Sequence, residues 1–242
     1  MANAEPIPIL YRDEDFIAVH KPPGLFVHRT KLSPEKDVLL QRVRNQIGIR
    51  IFPIHRLDRP TSGVVIFAFN ATAARKLCLL FEERQVTKSY LAVVRGFADE
   101  QGEIDSPLLD FNREKEQEAI THYRRLATQE LPIAVGRYAT ARFSLVEALP
   151  KTGRYHQIRR HLSRAAHPII GDSAHGDIRQ NRLFRDHLGV SRLLLQARSL
   201  AFLHPDTGEM IRIEALPEPE LVALFRRLGW SYEQDQSVET SH

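Results

Sequence analysis

The chain contains a single cysteine, Cys78, among its 242 residues. One thiol excludes an intrachain disulfide and any multi-thiolate zinc site. Because Cys78 stands beside Leu77 and Phe81 in a helical pattern, a core packing role is expected for it. Long hydrophobic runs are also missing. The longest unbroken apolar stretch, Val64 to Phe69, is far short of the roughly 20 residues that span a bilayer. The opening MANAEPIPIL lacks the basic-then-apolar order of a signal peptide, so no membrane partner and a cytoplasmic location are expected. There is no G-x-x-x-x-G-K-[ST] loop, no G-x-G-x-x-G after a strand and no G-x-S-x-G elbow, which removes the commonest nucleotide-binding and serine hydrolase readings. His156, His161, His167 and His175 lack the spacing of a helical ligand pair and no glutamate stands between them, so no metal is expected. No repeat, low-complexity block or linker divides the chain. A single domain over residues 1–230 with a polar, disordered tail over 231–242 is the simplest organisation.

What is present is ordinary globular composition, 43% hydrophobic and 26% charged, with a net charge of +4. The charge is unevenly placed. From Arg154 to Arg198 there are nine arginines and no lysine against Asp172, Asp177 and Asp186, a local charge of +6 that exceeds that of the whole chain. A nucleic-acid backbone suits such a surface.

Strand and helix signals alternate irregularly. Ile9–Tyr11 and Phe16–Val19 flank a turn at RDED, and Lys21-Pro22-Pro23-Gly24 ends the second strand. Ser33-Pro34 opens a helix carrying Leu39, Leu40, Val43 and Ile47, closed by Gly48. Val64–Phe69 reads as a buried strand, and Asn70 caps a helix with Ala73, Leu77, Leu80 and Phe81 inward. Ser89–Phe97 and Arg142–Ala148 read as strands, Asn112–Glu118 as a surface loop, and Gln157–Ala166 as a helix. Leu193–Leu203 and Met210–Ala215 form a hairpin across Pro205-Asp206-Thr207-Gly208, and a last helix runs from Pro219 to Leu228, stopping at Gly229. Frequent hairpins without a strand-helix-strand repeat predict an α+β domain around a mixed, largely antiparallel sheet flanked by helices and loops.

Three constellations could carry chemistry. In HRLDRPTSG, residues 55 to 63, Asp58 lies among His55, Arg56 and Arg59 at the mouth of the Val64 strand. A carboxylate so placed stays ionised, as a nucleophile or charge stabiliser requires, but the residues alone leave a structural ion pair equally open. In GRYHQIRRH, residues 153 to 161, Arg159 adjoins the apolar stripe of Ile158 and Leu162 and should be partly buried, with Asp58 the obvious partner. Arg154, His156 and Arg160 crowd the same helix start and are candidate RNA contacts, although a solvated face also fits Arg160. In KSYLAVVRG, Tyr90 by itself reads as a half-buried packing residue.

Taken together these segments resemble the RluA-type RNA pseudouridine synthases. The resemblance rests on Lys21-Pro22-Pro23-Gly24, His55 to Gly63, Lys88 to Gly96, Gly153 to His161 and the HPIIGD of His167 to Asp172, all in order from about Ile7 to Ala215. It implies a pseudouridine synthase fold, an RNA partner, no cofactor and no obligatory protein partner. It further implies that Asp58 is the catalytic aspartate, Tyr90 the aromatic stacking on the target uracil and Arg159 the partner of Asp58. Arg56 would take the place of the flipped uridine in the stack. Many relatives carry an N-terminal S4 domain; here the catalytic strand pair begins almost at once, so the catalytic domain itself is expected to grip the RNA. The fuller wording, including THYRRLAT and HPIIGDSAHGDIRQNR, is similar to the subgroup that modifies uridine 65 of transfer RNA. The rivals are a family member acting on ribosomal RNA or an anticodon-arm uridine, and a noncatalytic RNA-binding protein on the same fold.

Overall fold

The computed structural model describes residues 5–29, 35, 37–112 and 114–231. Strands β1 (Ile9–Arg12) and β2 (Phe16–Lys21) form the expected hairpin, and Asp13 shapes its turn by accepting the amides of Asp15 and Phe16 at 2.8 Å each. Helix α1 (Leu39–Ile47) buries Leu39 and Val43 and stops where Gly48 turns left-handed. It begins at Leu39 without a side-chain cap, and the expected Ser33-Pro34 start lies outside the described residues. The short β3 (Phe52–Pro53) precedes β4 (Ser62–Ala68), which is buried throughout. Asn70 caps α2 (Ala71–Glu82) by accepting the amide of Ala73 at 2.8 Å. Ala73 and Leu77 face inward from this helix, whereas Cys78 is only half-buried, so the packing expected of the cysteine falls to its neighbour.

The chain continues through β5 (Thr87–Arg95), β6 (Gln101–Asp105), β7 (Leu108–Leu109), β8 (Glu116–Gln117), β9 (Ile120–Leu131) and β10 (Ala141–Pro150). Helices α3 (Gln157–Arg164) and α4 (Ile178–Leu188) follow, then β11 (Leu195–Leu203), β12 (Met210–Glu214) and α5 (Pro219–Arg227). The stretch expected as a loop over Asn112–Glu118 contains β8, which pairs with β7 as a separate small hairpin. Helix α3 ends before the expected Ala166 because that residue turns left-handed, at φ 63°. Neither β9 nor α4 was legible from apolar periodicity. Most of β9 alternates between half-buried and exposed positions, and α4 buries only Gln180, Leu183 and Phe184, drawing its start from the Asp177 cap.

Among the described residues ten strands make one mixed sheet in the order β1-β2-β4-β11-β5-β10-β9-β6, with β12 on β11 and β3 on β4. Every pairing among the described residues is antiparallel except β4–β11, which is parallel and two registers long, Ser62↔Gln196 and Gly63↔Ala197. Gly63 is required at this seam. Its φ is 113°, and a Cβ there would lie 2.0 Å from the carbonyl oxygen of Ala197. The two seam strands feed two cores, one holding Val64 and Ile66 of β4 with Leu200 and Phe202 of β11, the other Val65 and Phe67 of β4 with Ala197 of β11. Each of the larger side chains contributes about 1.5–3 kcal/mol of burial, which makes the seam between them a firm base for the loops that leave it. No helix among the described residues is long and apolar enough to cross a membrane.

Candidate active site

The loop that enters β4 carries Asp58, and β2 fastens it from below. Lys21, fully buried, donates from Nζ to the carbonyls of Pro22 (2.9 Å) and Arg59 (3.0 Å). The Gly24 amide also reaches the Arg59 carbonyl, and Arg59 Nε returns to the Gly24 carbonyl, each at 2.9 Å. The K-P-P-G turn is therefore a clasp on the aspartate loop. Burial pushes the Lys21 pKa down to about 7 against the opposing pull of the Asp58 charge. His55 is structural: its Nε2 accepts the Ile66 amide at 3.1 Å, its ring stacks on Phe81, and burial followed by the Lys88 charge lowers its pKa to about 3.

Asp58 is matched from across the sheet. Arg159, only 4% exposed, donates from Nη1 to Asp58 Oδ2 at 3.0 Å, which is the pairing expected from the sequence. It is not the arginine's main anchor. Arg159 Nε and Nη2 form a fork on Asp172 at 2.7 and 2.8 Å, and Asp172 also accepts the amides of Ala174 and His175. Burial opposes the Arg159 charge, but the bonds to Asp172 and then Asp58 outweigh it and its pKa is raised. Burial likewise opposes the Asp172 charge, and Arg159 with the two amides holds that carboxyl below its ordinary pKa. The loop holding Asp172 is itself pinned by Asn181 of α4, which bonds the Gly171 amide and the Asp172 carbonyl. In the sequence Asp172 stands inside HPIIGD, and nothing local marks it as the anchor of Arg159. The signal that could have found it is the need of a buried guanidinium for more acceptors than one carboxylate oxygen supplies.

His156 approaches the same oxygen, with Nε2 3.7 Å from Asp58 Oδ2 and Nδ1 3.0 Å from His175 Nε2. Burial first, and the Arg159 and His175 charges after it, depress its pKa to about 4 despite Asp58, so the ring is neutral at neutral pH. Both contacts to Asp58 fall on Oδ2. The carboxylate is held by one edge.

Tyr90 stands on β5 opposite Ala148 and Ala197 and packs against two of the cores. Burial and then the charge of Asp58 raise its pKa well above the usual phenol range. Asp58, Tyr90, Arg159, Arg56, Arg154 and His156 all line one cleft of about 600 Å³. Arg160 does not line it: its Nη1 donates to the carbonyls of Leu109 at 2.8 Å and Tyr155 at 3.3 Å. Of the arginine-rich segment only Arg154 and Arg159 reach the cleft, whose other cations are Arg56, Arg84, Lys88 and Lys151. Arg192 instead pairs with Glu218 and Glu220, and Arg198 with Glu147.

Among the described residues, one group of side chains is close enough to hold a cation, Asp15, His204 and Asp206, and none of them lines the cleft. His204 Nδ1 already accepts the amides of Asp206 and Thr207, which leaves the proton on the nitrogen that faces Asp13 and Asp15. That arrangement suits hydrogen bonding and opposes ligation.

Known proteins share this framework. The model of the RNA pseudouridylate synthase family matches residues 15–164, from the β1–β2 turn to the end of α3. The tRNA pseudouridine synthase C of Haemophilus ducreyi is 48% identical over 234 residues, 93% of this chain and 96% of that protein. That of Yersinia pestis is 47% identical over 234 residues, 92% of this chain and 91% of that protein. Among solved structures, human RNA pseudouridylate synthase domain containing 1 superimposes with a TM-score of 0.69 at 28% identity, covering 90% of this chain and 87% of that one. Human RNA pseudouridylate synthase domain containing 4 gives 0.70 at 26% identity, covering 92% and 93%. The matched span includes Asp58, Tyr90 and Arg159, the relatives align almost from end to end, and on those grounds the chain belongs to the RNA pseudouridylate synthase family, the RluA type that its motifs resemble.

Proposed function

We propose that this chain isomerises a uridine of transfer RNA, uridine 65, to pseudouridine in the cytoplasm, with Asp58 as the catalytic carboxylate. The observation that carries the reading is a carboxylate tied by one edge to a buried, doubly anchored arginine and set in a concave site with a tyrosine and several cations. Transfer RNA as substrate comes from the names of the relatives, which are tRNA pseudouridine synthases at 44–48% identity.

The reaction breaks the bond from C1′ to N1, turns the uracil within the site and joins C5 to C1′; the proton on C5 leaves to solvent and N1 gains one. Atoms and electrons balance without an external oxidant or reductant. Attack by Asp58 at C1′ or C6, or its removal of a sugar proton, requires the carboxylate in each case, and Arg159 orients it through the bond from Nη1 to Oδ2 at 3.0 Å. The target must first leave its stack, a step costing a few kcal/mol that is offset by stacking on Tyr90 and by phosphate contacts from Arg56, Arg154 and the cleft lysines. With its pKa raised, Tyr90 enters as a neutral phenol. Its part is to hold the turning base.

The test is tritium release from C5-labelled uridine in unmodified transfer RNA transcripts, with the product position mapped. Release at uridine 65 by the wild type supports the whole reading. Release from another uridine or from ribosomal RNA keeps the chemistry and discards the site. No release from either RNA brings forward a noncatalytic RNA-binding role.

A further inference from the structure

Phe111 is 56% exposed and Tyr155 is 39% exposed, yet both line the wall of the cleft. Phe111 sits at the tip of the β7–β8 hairpin and Tyr155 in the turn before α3. Their rings meet edge to face at 4.9 Å, and Tyr155 stacks on His156 at 3.8 Å. Since His156 is the neighbour of Asp58, an aromatic row leads from the hairpin tip to the carboxylate. Phe111 belongs to none of the hydrophobic cores, so folding gives no reason for an exposed phenyl ring at this place.

The row is built rather than incidental. Arg160 joins its two supports, donating from one nitrogen to the Leu109 carbonyl on the hairpin and to the Tyr155 carbonyl. Arg164 reaches Ser106 Oγ at 2.8 Å and the Pro107 carbonyl at 2.9 Å, and His161 Nε2 lies 3.0 Å from the Ser106 carbonyl. The hairpin turn closes on itself through the Asp110 amide to the Lys115 carbonyl and the Glu114 amide to Asp110 Oδ1. Three side chains of one helix thus hold the hairpin against the cleft. Lys151 and Arg154 line the same cleft and supply positive charge. Exposed aromatic rings next to cations in a concave site match an unstacked nucleobase with its phosphates.

We propose that Phe111 and Tyr155 form a stacking subsite for a base adjacent to the uridine being isomerised, with Arg160 as the strut that sets the two rings. This rests on the RNA reading above. It gives Arg160 a positioning part in place of direct contact with RNA.

Binding of transfer RNA transcripts is measured at fixed ionic strength with the Asp58→Asn protein, which separates binding from turnover. Adding Phe111→Ala should weaken binding about tenfold, Phe111→Trp should restore it, and the dependence on salt should not change because no charge is removed. A transcript with an abasic site at the stacked position should lose the same factor against the parent protein and nothing further against Phe111→Ala. That position is sought on either side of the mapped uridine, or walked through the transcript if the wild type releases no tritium. Binding by Phe111→Ala within twofold of the parent, or losses that multiply at every abasic position, would overturn the subsite. If the coupling is found while the wild type releases no tritium, the subsite stands and the isomerase reading falls.

Discussion

Asp172→Asn tests whether the geometry proposed for catalysis depends on a residue outside the Asp58–Arg159 pair. Asp172 is 2% exposed and accepts four hydrogen bonds, two from Arg159 and two from the amides of Ala174 and His175. The asparagine keeps the shape but removes the negative charge and turns one acceptor into an amide donor aimed at another donor. Removing one partner of a buried pair costs about 3–5 kcal/mol, because the other charge stays buried. For a chain of this size each kcal/mol lowers Tm by about 2–4 °C, so a fall of about 10 °C is expected. Arg159, loosened, no longer fixes Asp58 Oδ2, and misplacement on that scale should lower turnover about 100-fold. Thermal and urea melts followed by circular dichroism, run beside tritium release, provide both readouts. In a cycle with Arg159→Met, the double variant should be little worse than the poorer single, since the two changes remove one interaction. A variant that melts within about 2 °C of wild type and turns over normally would refute the reasoning.

Asp58→Asn should abolish product while RNA binding stays within a few-fold, and a large loss of binding with residual turnover would contradict the role given to the carboxylate. His55 has a folded pKa near 3, below its usual 6.5, so between those values the unfolded chain binds the extra proton and stability is lost as pH falls. Its share at pH 4.5 relative to pH 7.5 is about 3 kcal/mol; urea unfolding of His55→Gln should show a fall smaller by that amount, and equal falls would remove the assignment. Gly63→Ala meets both a positive φ and the Ala197 carbonyl, so the soluble yield and Tm of this variant should drop sharply, by more than 3 kcal/mol as an order of magnitude. Wild-type stability in Gly63→Ala would mean that β4 and β11 do not meet there.

Much of the local structure was legible because the chain states it in short-range terms. Apolar runs became β2, β4, β5 and β10, Asn70 capped α2, and Gly48 and Gly229 ended their helices. Of the elements that escaped, β6, β9 and α4 expose much of their surface and so carry little hydrophobic period, while β3, β7 and β8 are two residues each. The partnership of Arg159 with Asp58 could be reached because a buried guanidinium requires a carboxylate and few were in view.

The sequence alone determined the α+β class, the ordered motifs of the family and the carboxylate that stands among cations at the mouth of β4. Only the tertiary structure decided that Asp172 is the arginine's main anchor, that Lys21 clasps the Asp58 loop from 38 residues away, and that Arg160 turns from the cleft to brace a hairpin 51 residues distant. It also decided that Arg192 and Arg198 pair with carboxylates within the protein. The reason is physical: propensity and periodicity act within a few residues, whereas the direction of a buried charge is set by whichever partner the folded sheet brings within 3 Å.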